Sequence, residues 1–295
     1  MISYLQAIVI GLLQGVTELF PISSLGHSVL VPSVFGWHTL AKAQSADESF
    51  YLAFLVALHV ATAIALLVYF RAEWVRIITA FLRSARRRQI GTPDERLAWL
   101  IVVATIPAGI TGLALEHTLR TVFAKPLAAA IFLTLNGLVL LAGERYRRRD
   151  EVRTLAAQHP QTASPEPGRR LDTLDFKEAG VVGVAQVAAL FAGISRSGIT
   201  MVASLARGLD HEDAARFSFL LATPIILAAG VYKLPDLLGP LGDGVRGQAL
   251  VGSLFAGVAA FISVRFLVRF FETRNLLPFA IYCLIAGGLC IIRFA

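Results

Sequence analysis

Two short segments of this chain combine residue types that can do chemistry. The first reads Gln14-Gly-Val-Thr17-Glu18-Leu-Phe-Pro21-Ile-Ser23-Ser24-Leu-Gly26-His27. Gln14 and Glu18 stand one helical turn apart, which puts both oxygens on one face. A carboxylate beside an amide carbonyl suits a hard divalent cation, Mg²⁺ or Ca²⁺, with substrate phosphate completing the shell. Two protein oxygens make a weak site, so cation binding is expected to depend on substrate. Zinc is not expected, because no His/Cys cluster accompanies them. Pro21 and Gly26 bracket Ser23 and Ser24, the pattern of a turn that presents hydroxyls and backbone N–H groups. His27 is expected within hydrogen-bond reach of Ser24. Serine beside an imidazole is the minimum for an activated nucleophile or a proton relay. For His27 taken alone, a helix cap followed by a buried histidine is the plainer account.

The second segment reads Ala192-Gly193-Ile-Ser195-Arg196-Ser197-Gly198-Ile-Thr200. Glycine-flanked hydroxyls around an arginine form an oxyanion clamp. The guanidinium offers planar paired donors, and a glycine-rich turn exposes N–H groups. The segment is not a GxSxG nucleophile elbow, since Ser197 stands where the closing glycine would be. A helix-packing patch with an outward-snorkelling arginine is the alternative, and the expected depth of Arg196 argues against it. His59, in Leu58-His59-Val60-Ala61-Thr62, reads first as a buried histidine bonded to a neighbouring helix. Glu48 can approach the site from an outer loop and is given no role.

The elements that position these residues are those of a bilayer protein. The chain has 295 residues, 56% hydrophobic and 16% charged, with a mean hydropathy of +0.68. Soluble domains run at about 45–50% apolar and about 25% charged. This excess, concentrated in long runs, excludes a cytosolic enzyme, a disordered chain and a fibrous repeat. The net charge of +7 sits in short blocks beside apolar runs, as in cytoplasmic membrane loops. No nucleic-acid motif accompanies it, so no nucleic acid is expected as a partner. Cys283 and Cys290 lie about 10 Å apart along one helix, too far for a disulfide. Met1 to Leu13 lacks a basic n-region and a cleavage site and is not read as a removed signal peptide.

The expected fold is an all-α integral membrane protein of six transmembrane helices plus two re-entrant helix pairs. The spans fall at about 50–70, 97–115, 126–143, 217–233, 249–269 and 276–294. Segments 3–34 and 178–205 are apolar but broken near the middle by Gly, Pro, Ser and a charge. Such irregular backbone must be buried in protein or line a wet cavity. Seven arginines in 71–96, and seven with Lys177 in 144–177, place those two loops in the cytoplasm. Both termini then lie outside, and the two broken pairs open from opposite faces. Within 144–177, His159 to Gly168 has the composition of a disordered linker. The halves on either side repeat: Gly11, Gln14, Ile22, Ser23 and Gly26 recur at one constant offset as Gly183, Gln186, Ile194, Ser195 and Gly198. The chain therefore divides into an N-terminal inverted repeat, 1–143, a basic cytoplasmic linker, 144–177, and a C-terminal inverted repeat, 178–295. Inverted repeats with broken helices place a site near the midplane, where the breaks meet. Of 20 acidic and 27 basic residues, only Glu18 and Arg196 lie deep in apolar segments. A charge at that depth costs about 2.5–3.5 kcal/mol on insertion scales, so such residues are normally paired and functional. An ion pair that merely locks the halves together is the alternative. A cation site, a Ser/His pair and an arginine clamp together suit metal-assisted hydrolysis of a lipid phosphate or diphosphate.

These motifs resemble a known family. Gln14-x-x-x-Glu18, Pro21-Ile-Ser-Ser-x-Gly-His27 and Gly193-x-Ser-Arg-Ser-Gly198-x-Thr200 are similar to the undecaprenyl-diphosphate phosphatases, also called bacitracin-resistance proteins. Leu58-His59 through Tyr69-Phe70-Arg71, and Phe217-Ser-Phe-Leu-Leu-Ala222, extend the likeness over nearly the whole chain. The resemblance implies a bacterial plasma-membrane enzyme that converts undecaprenyl diphosphate to the monophosphate and recycles the carrier for peptidoglycan synthesis. It implies interlocked inverted repeats with the site open to the outer face. It also implies a cation at Gln14 and Glu18, diphosphate at Ser195, Arg196 and Ser197, and Ser24 and His27 at the catalytic turn. Ser23 and Thr200 are counted with the substrate-binding set. Leu25 stands where the family commonly has Thr, and Ala192 where Pro usually precedes the glycine. The acid-phosphatase type of lipid phosphatase is excluded, because Val202 stands where its histidine would follow Ser195-Arg196. Ser24 is the expected nucleophile with His27 moving the proton; direct attack by water, or by His27, fits the same residues. Expected partners are the polyprenyl diphosphate and membrane lipids, and a homodimer is compatible with the chain. The rival class is a transporter or lipid flippase using the same charge pair.

Overall fold

A computed structural model describes residues 2–44, 49–123, 125–157 and 169–295. Glu48 and the linker stretch from His159 to Gly168 lie outside them. The described residues form twelve α-helices in the order α1 Tyr4–Thr17, α2 Ser24–Val34, α3 His38–Gln44, α4 Phe50–Tyr69, α5 Arg71–Arg87, α6 Pro93–Phe123, α7 Pro126–Ala157, α8 Phe176–Ala185, α9 Arg196–Leu205, α10 His211–Leu238, α11 Arg246–Phe271 and α12 Leu277–Phe294. Six are long and apolar enough to cross a bilayer: α4, α6, α7, α10, α11 and α12. Each takes in one of the six expected runs. Their outward faces are apolar: Leu250, Leu254, Val258 and Ile262 form an exposed stripe along α11, the surface expected against lipid rather than water.

Both broken segments are helix–break–helix pairs, α1 with α2 and α8 with α9. α1 starts at a capping box between Ser3 and Gln6, and α8 at one between Asp175 and Glu178. Each second helix starts at a serine cap: Ser23 Oγ accepts from Gly26 N–H in α2, and Ser195 Oγ from Gly198 N–H in α9. The breaks take unusual backbone, with Ser23 at φ 70° and Gly193 at φ 116°. Left-handed torsions are costly for a serine, so the surroundings must hold Ser23 there.

Each pair packs on helices of the other half. α1 lies along α11, α8 along α6, α4 beside α10 and α7 beside α12. Close approach is set by small residues. A Cβ on Gly183 would come within 2.5 Å of the Ala104 carbonyl in α6, and one on Gly137 within 2.9 Å of the Ala280 carbonyl in α12. Small-residue faces let apolar helices gain van der Waals contact where no hydrophobic drive separates protein from lipid. Between α4 and α6, α5 turns Ile77, Ala80 and Ser84 inward and leaves Val75, Ile78 and Leu82 exposed. Trp99 Nε1 donates to Ser84 Oγ at 2.9 Å and fixes α5 to α6. Cys283 is buried, and both cysteines are free thiols.

Where the described chain resumes, Arg169 N–H donates to the Gly208 carbonyl at 2.9 Å and its guanidinium meets Glu178 at 2.6 Å. That hydrogen bond holds the Glu178 carboxyl below the usual carboxylate range. The contact ties the end of α9 to the start of α8.

Candidate active site

The two breaks meet face to face. A Cβ on Gly26 would lie 2.9 Å from Gly193 Cα, so only glycine allows the approach. Ser23 Oγ accepts a second bond, from Gly193 N–H across the interface at 3.2 Å, which explains how its backbone is held. Asn136, from the middle of α7, completes the joint: its Nδ2 donates to the Pro21 carbonyl at 2.9 Å, and its Oδ1 accepts from Ser195 N–H at 3.0 Å. One buried carboxamide thus satisfies a backbone group in each break, as buried polar groups require.

Glu18 occupies the centre of the joint and is itself buried. Its Oε1 accepts from Arg196 Nη2 at 2.6 Å, so the two deep charges pair across the halves. Its Oε2 accepts from Gln14 Nε2 at 3.1 Å and, in a short bond, from Ser24 Oγ. His59 Nε2 lies 3.3 Å from the same oxygen, with Nδ1 on the Leu55 carbonyl at 2.7 Å. A cavity of about 310 Å³ opens against this cluster and is lined by Glu18, Ser24, His59, Gln186, Ser195 and Arg196. Its remaining wall is apolar, with Val56, Ile225 and Ile226. Arg196 Nη1 is buried without a hydrogen-bond partner. A charged donor left empty in a dry site is ready for an anion.

The expected residues part company here. Glu18, Ser23, Ser24, Ser195 and Arg196 line the cavity. Gln14 lies beneath Glu18, and Ser197 turns to Ser195 Oγ at 3.0 Å and to the Phe20 carbonyl at 3.3 Å. Thr200 faces away, its hydroxyl on the Arg196 carbonyl and on Ser218 Oγ, both at 2.7 Å. The expected Ser24–His27 contact does not form. His27 sits on the first turn of α2, where its Nδ1 reaches the Ser23 carbonyl at 2.7 Å. Its Nε2 meets the Tyr282 hydroxyl of α12 at 2.7 Å. Ser24, at the helix start, points the other way, to Glu18. His59 is the opposite case: the sequence reads it as a buried histidine bonded to a neighbouring helix, and the partner it finds, at the end of α1, is the site carboxylate itself. Asn136 and Gln186 carried only weak signals, a polar residue within an apolar run and the repeat position of Gln14. Leu25 lines the cavity with an aliphatic side chain, and Ala192 is buried in a turn already pinned by the Gly193–Ser23 bond.

Glu18, Gln14 and Ser24 offer oxygens, Ser23 Oγ being taken up by two backbone N–H groups, and the Gln186 carbonyl oxygen is buried without a partner. Such a set fits a hard cation. Among the described residues no group of three or more His, Cys, Asp and Glu is placed to hold a metal, so a preformed zinc-type site is not present there. Gln14 turns its N–H to the carboxylate, so a cation held between the two requires its carboxamide rotated by half a turn.

An all-helical membrane protein with paired helix breaks around a buried carboxylate, an arginine and a serine has the parts of an intramembrane phosphate-handling site. The chain belongs to the family Bacitracin resistance protein BacA, which matches residues 7–289. It is 58% identical to the Undecaprenyl-diphosphatase 2 of Frankia alni, with 100% of this chain and 98% of that protein aligned. It is also 58% identical to the Undecaprenyl-diphosphatase of Mycolicibacterium paratuberculosis and 57% identical to that of Mycobacterium avium, at the same coverage.

Proposed function

We infer that this chain is an undecaprenyl-diphosphatase, hydrolysing undecaprenyl diphosphate to undecaprenyl phosphate and inorganic phosphate. Identity of 58% over the whole chain to proteins of that name carries the reading, and it favours hydrolysis over transport.

The geometry supports roles for the residues. Arg196 holds Glu18 with Nη2 and offers Nη1 to a diphosphate oxygen. That free donor stabilises charge that develops on the transferred phosphoryl group. Ser24 Oγ is the proposed nucleophile. Its hydrogen bond runs to Glu18, so Glu18 rather than His27 is the proposed proton acceptor, backed by His59. Oγ attacks the terminal phosphorus, the bond to the bridging oxygen breaks, and undecaprenyl phosphate leaves. Water then cleaves the phosphoserine, restoring the hydroxyl and releasing phosphate. Mg²⁺ or Ca²⁺, proposed to be held by Glu18 and Gln14, supplies charge neutralisation and polarises phosphoryl oxygens when bound. His27 and Thr200 are proposed to act by holding the turns. The apolar wall suits the prenyl chain.

The architecture is proposed to be two inverted repeats, 1–143 and 178–295, each with a re-entrant pair. Support comes from the exchange of partners, α1 on α11 and α8 on α6. It also comes from length: α1 has 14 residues, about 21 Å of rise, against a core of about 30 Å. The arginine-rich loops support a plasma-membrane orientation with the site towards the outer face.

The deciding experiment is phosphate release from undecaprenyl diphosphate by the purified protein in detergent, with Mg²⁺ and then with EDTA. Release that EDTA abolishes is expected. Undiminished release in EDTA removes the cation, and no release from folded protein refutes the activity.

A further inference from the structure

Gln186 occupies in the second half the position that Gln14 has in the first, and the two carboxamides are used differently. Gln14 gives its N–H to Glu18. Gln186 Nε2 donates to the Ala104 carbonyl of α6 at 2.9 Å. Only the NH₂ end of an amide can meet a carbonyl, so that bond fixes which way the group faces. Its Oε1 is thereby left without a hydrogen-bond partner, although the residue is only 2% exposed. A carbonyl oxygen in that state has given up water and gained nothing in return. Gln186 belongs to the lining of the same cavity as Glu18, Ser24, His59 and Arg196.

A carboxamide oxygen can only accept, so what fills its place is an N–H, an O–H or a cation. Arg196 Nη1 is also unpartnered, so these two groups do not satisfy each other. An ionised diphosphate presents acceptors alone and is repelled by a carbonyl oxygen. Of what the reaction brings into the cavity, water and the divalent cation have the opposite preference, and the cation is the one that also draws on the Glu18 carboxylate in the same lining. We propose that Gln186 Oε1 is a further protein oxygen for that cation, adding a ligand from the second half to the site that Glu18 and Gln14 begin in the first. The proposal rests on the cation reading given above. A neutral amide suits the position: it adds an oxygen of the kind hard cations take without a second carboxylate charge facing the diphosphate. It also makes the site depend on both halves being docked.

Mn²⁺ serves as the probe, its binding to the purified full-length protein followed by water-proton relaxation enhancement with a non-hydrolysable methylene-bridged prenyl diphosphonate in the site, so that turnover plays no part. Gln186→Met, close in volume, and Gln186→Leu are each expected to weaken Mn²⁺ binding about tenfold or more, within the range that site changes produce in metal affinity. Thermal melting without Mn²⁺ checks the fold, and if the Met variant does not fold the Leu variant decides. Glu18→Gln separates the failures. Unchanged affinity in both Gln186 variants, with binding lost in Glu18→Gln, overturns the role of Gln186 and leaves the cation reading standing. No Mn²⁺ binding by the wild type, or binding indifferent to Glu18→Gln, overturns both.

Discussion

Replacing Arg196 by lysine separates its charge from its geometry. The guanidinium does two things at once: Nη2 holds Glu18 Oε1 at 2.6 Å, while Nη1 stands empty in the buried site. A lysine ammonium keeps the charge, so the buried carboxylate stays compensated and the fold should survive. Truncation to alanine would leave that carboxylate without its guanidinium, and breaking a buried pair costs about 3–5 kcal/mol, which would confuse lost folding with lost chemistry. What lysine loses is the planar fork: all its donors sit on one nitrogen, which must share a single position between Glu18 and a phosphate oxygen instead of holding each with its own fixed nitrogen. One charge-assisted donor aimed at developing phosphoryl charge is worth about 2.7–4 kcal/mol, or about 10²–10³ in kcat. The assay is initial-rate phosphate release against undecaprenyl diphosphate concentration, for wild type and Arg196→Lys in one detergent, with melting curves for both. A fall in kcat of that size with little change in Tm is expected. A kcat/KM within about threefold of wild type, less than 1 kcal/mol of transition-state binding, would refute the two-donor clamp.

Ser24→Ala should lower kcat at least about a thousandfold if Ser24 is the nucleophile, measured by phosphate release; retention of a tenth of the wild-type rate would mean that water attacks directly. Gly193→Ala should lower Tm sharply, because φ is 116° and the new Cβ would fall 2.5 Å from the Ala129 carbonyl and 2.6 Å from Leu133 N; an unchanged melting curve would contradict the packing of the break on α7. The Arg169–Glu178 pair sets a pH dependence: with the Glu178 carboxyl held below its ordinary 4.5, its contribution is complete above that value and is lost as pH falls through the folded value. Glu178→Gln should therefore destabilise near neutral pH, and its deficit in Tm against wild type should narrow below about pH 4. A deficit that does not change with pH would remove the ion pair as its cause. The pair is partly exposed, so the effect is small.

Much of this was legible along the chain. Spans announce themselves because twenty or so apolar residues have few other uses. Breaks announce themselves because Pro, Gly and Ser within an apolar run must be buried or wet. Glu18 and Arg196 stood out because a charge inside such a run is costly. Short-range geometry was readable too: Gln14 and Glu18 do meet, as one helical turn requires. The spacing of Ser24 and His27 misled, because it fixes distance along a helix but not which neighbour each ring or hydroxyl turns to. Tyr282, from the far end of the chain, draws His27 one way, and Glu18, across the break in the same segment, draws Ser24 the other. His59 misled for the same reason, since a histidine on an apolar helix looks alike whether its face meets packing or a carboxylate.

By itself, the sequence determined that the protein is an all-helical membrane protein with two broken segments, and which two charges lie deep within them. Those are properties of local composition, set by the cost of placing polar groups in hydrocarbon. Tertiary structure alone decided that the two breaks touch, that Asn136 binds both, that Glu18 collects Arg196, Ser24 and His59 at one carboxylate, and that Gln186 is left with an empty oxygen. Most of these join residues far apart in the chain, some within one half and some across the two, and only the packing of helices on one another brings them within the few ångströms over which hydrogen bonds act.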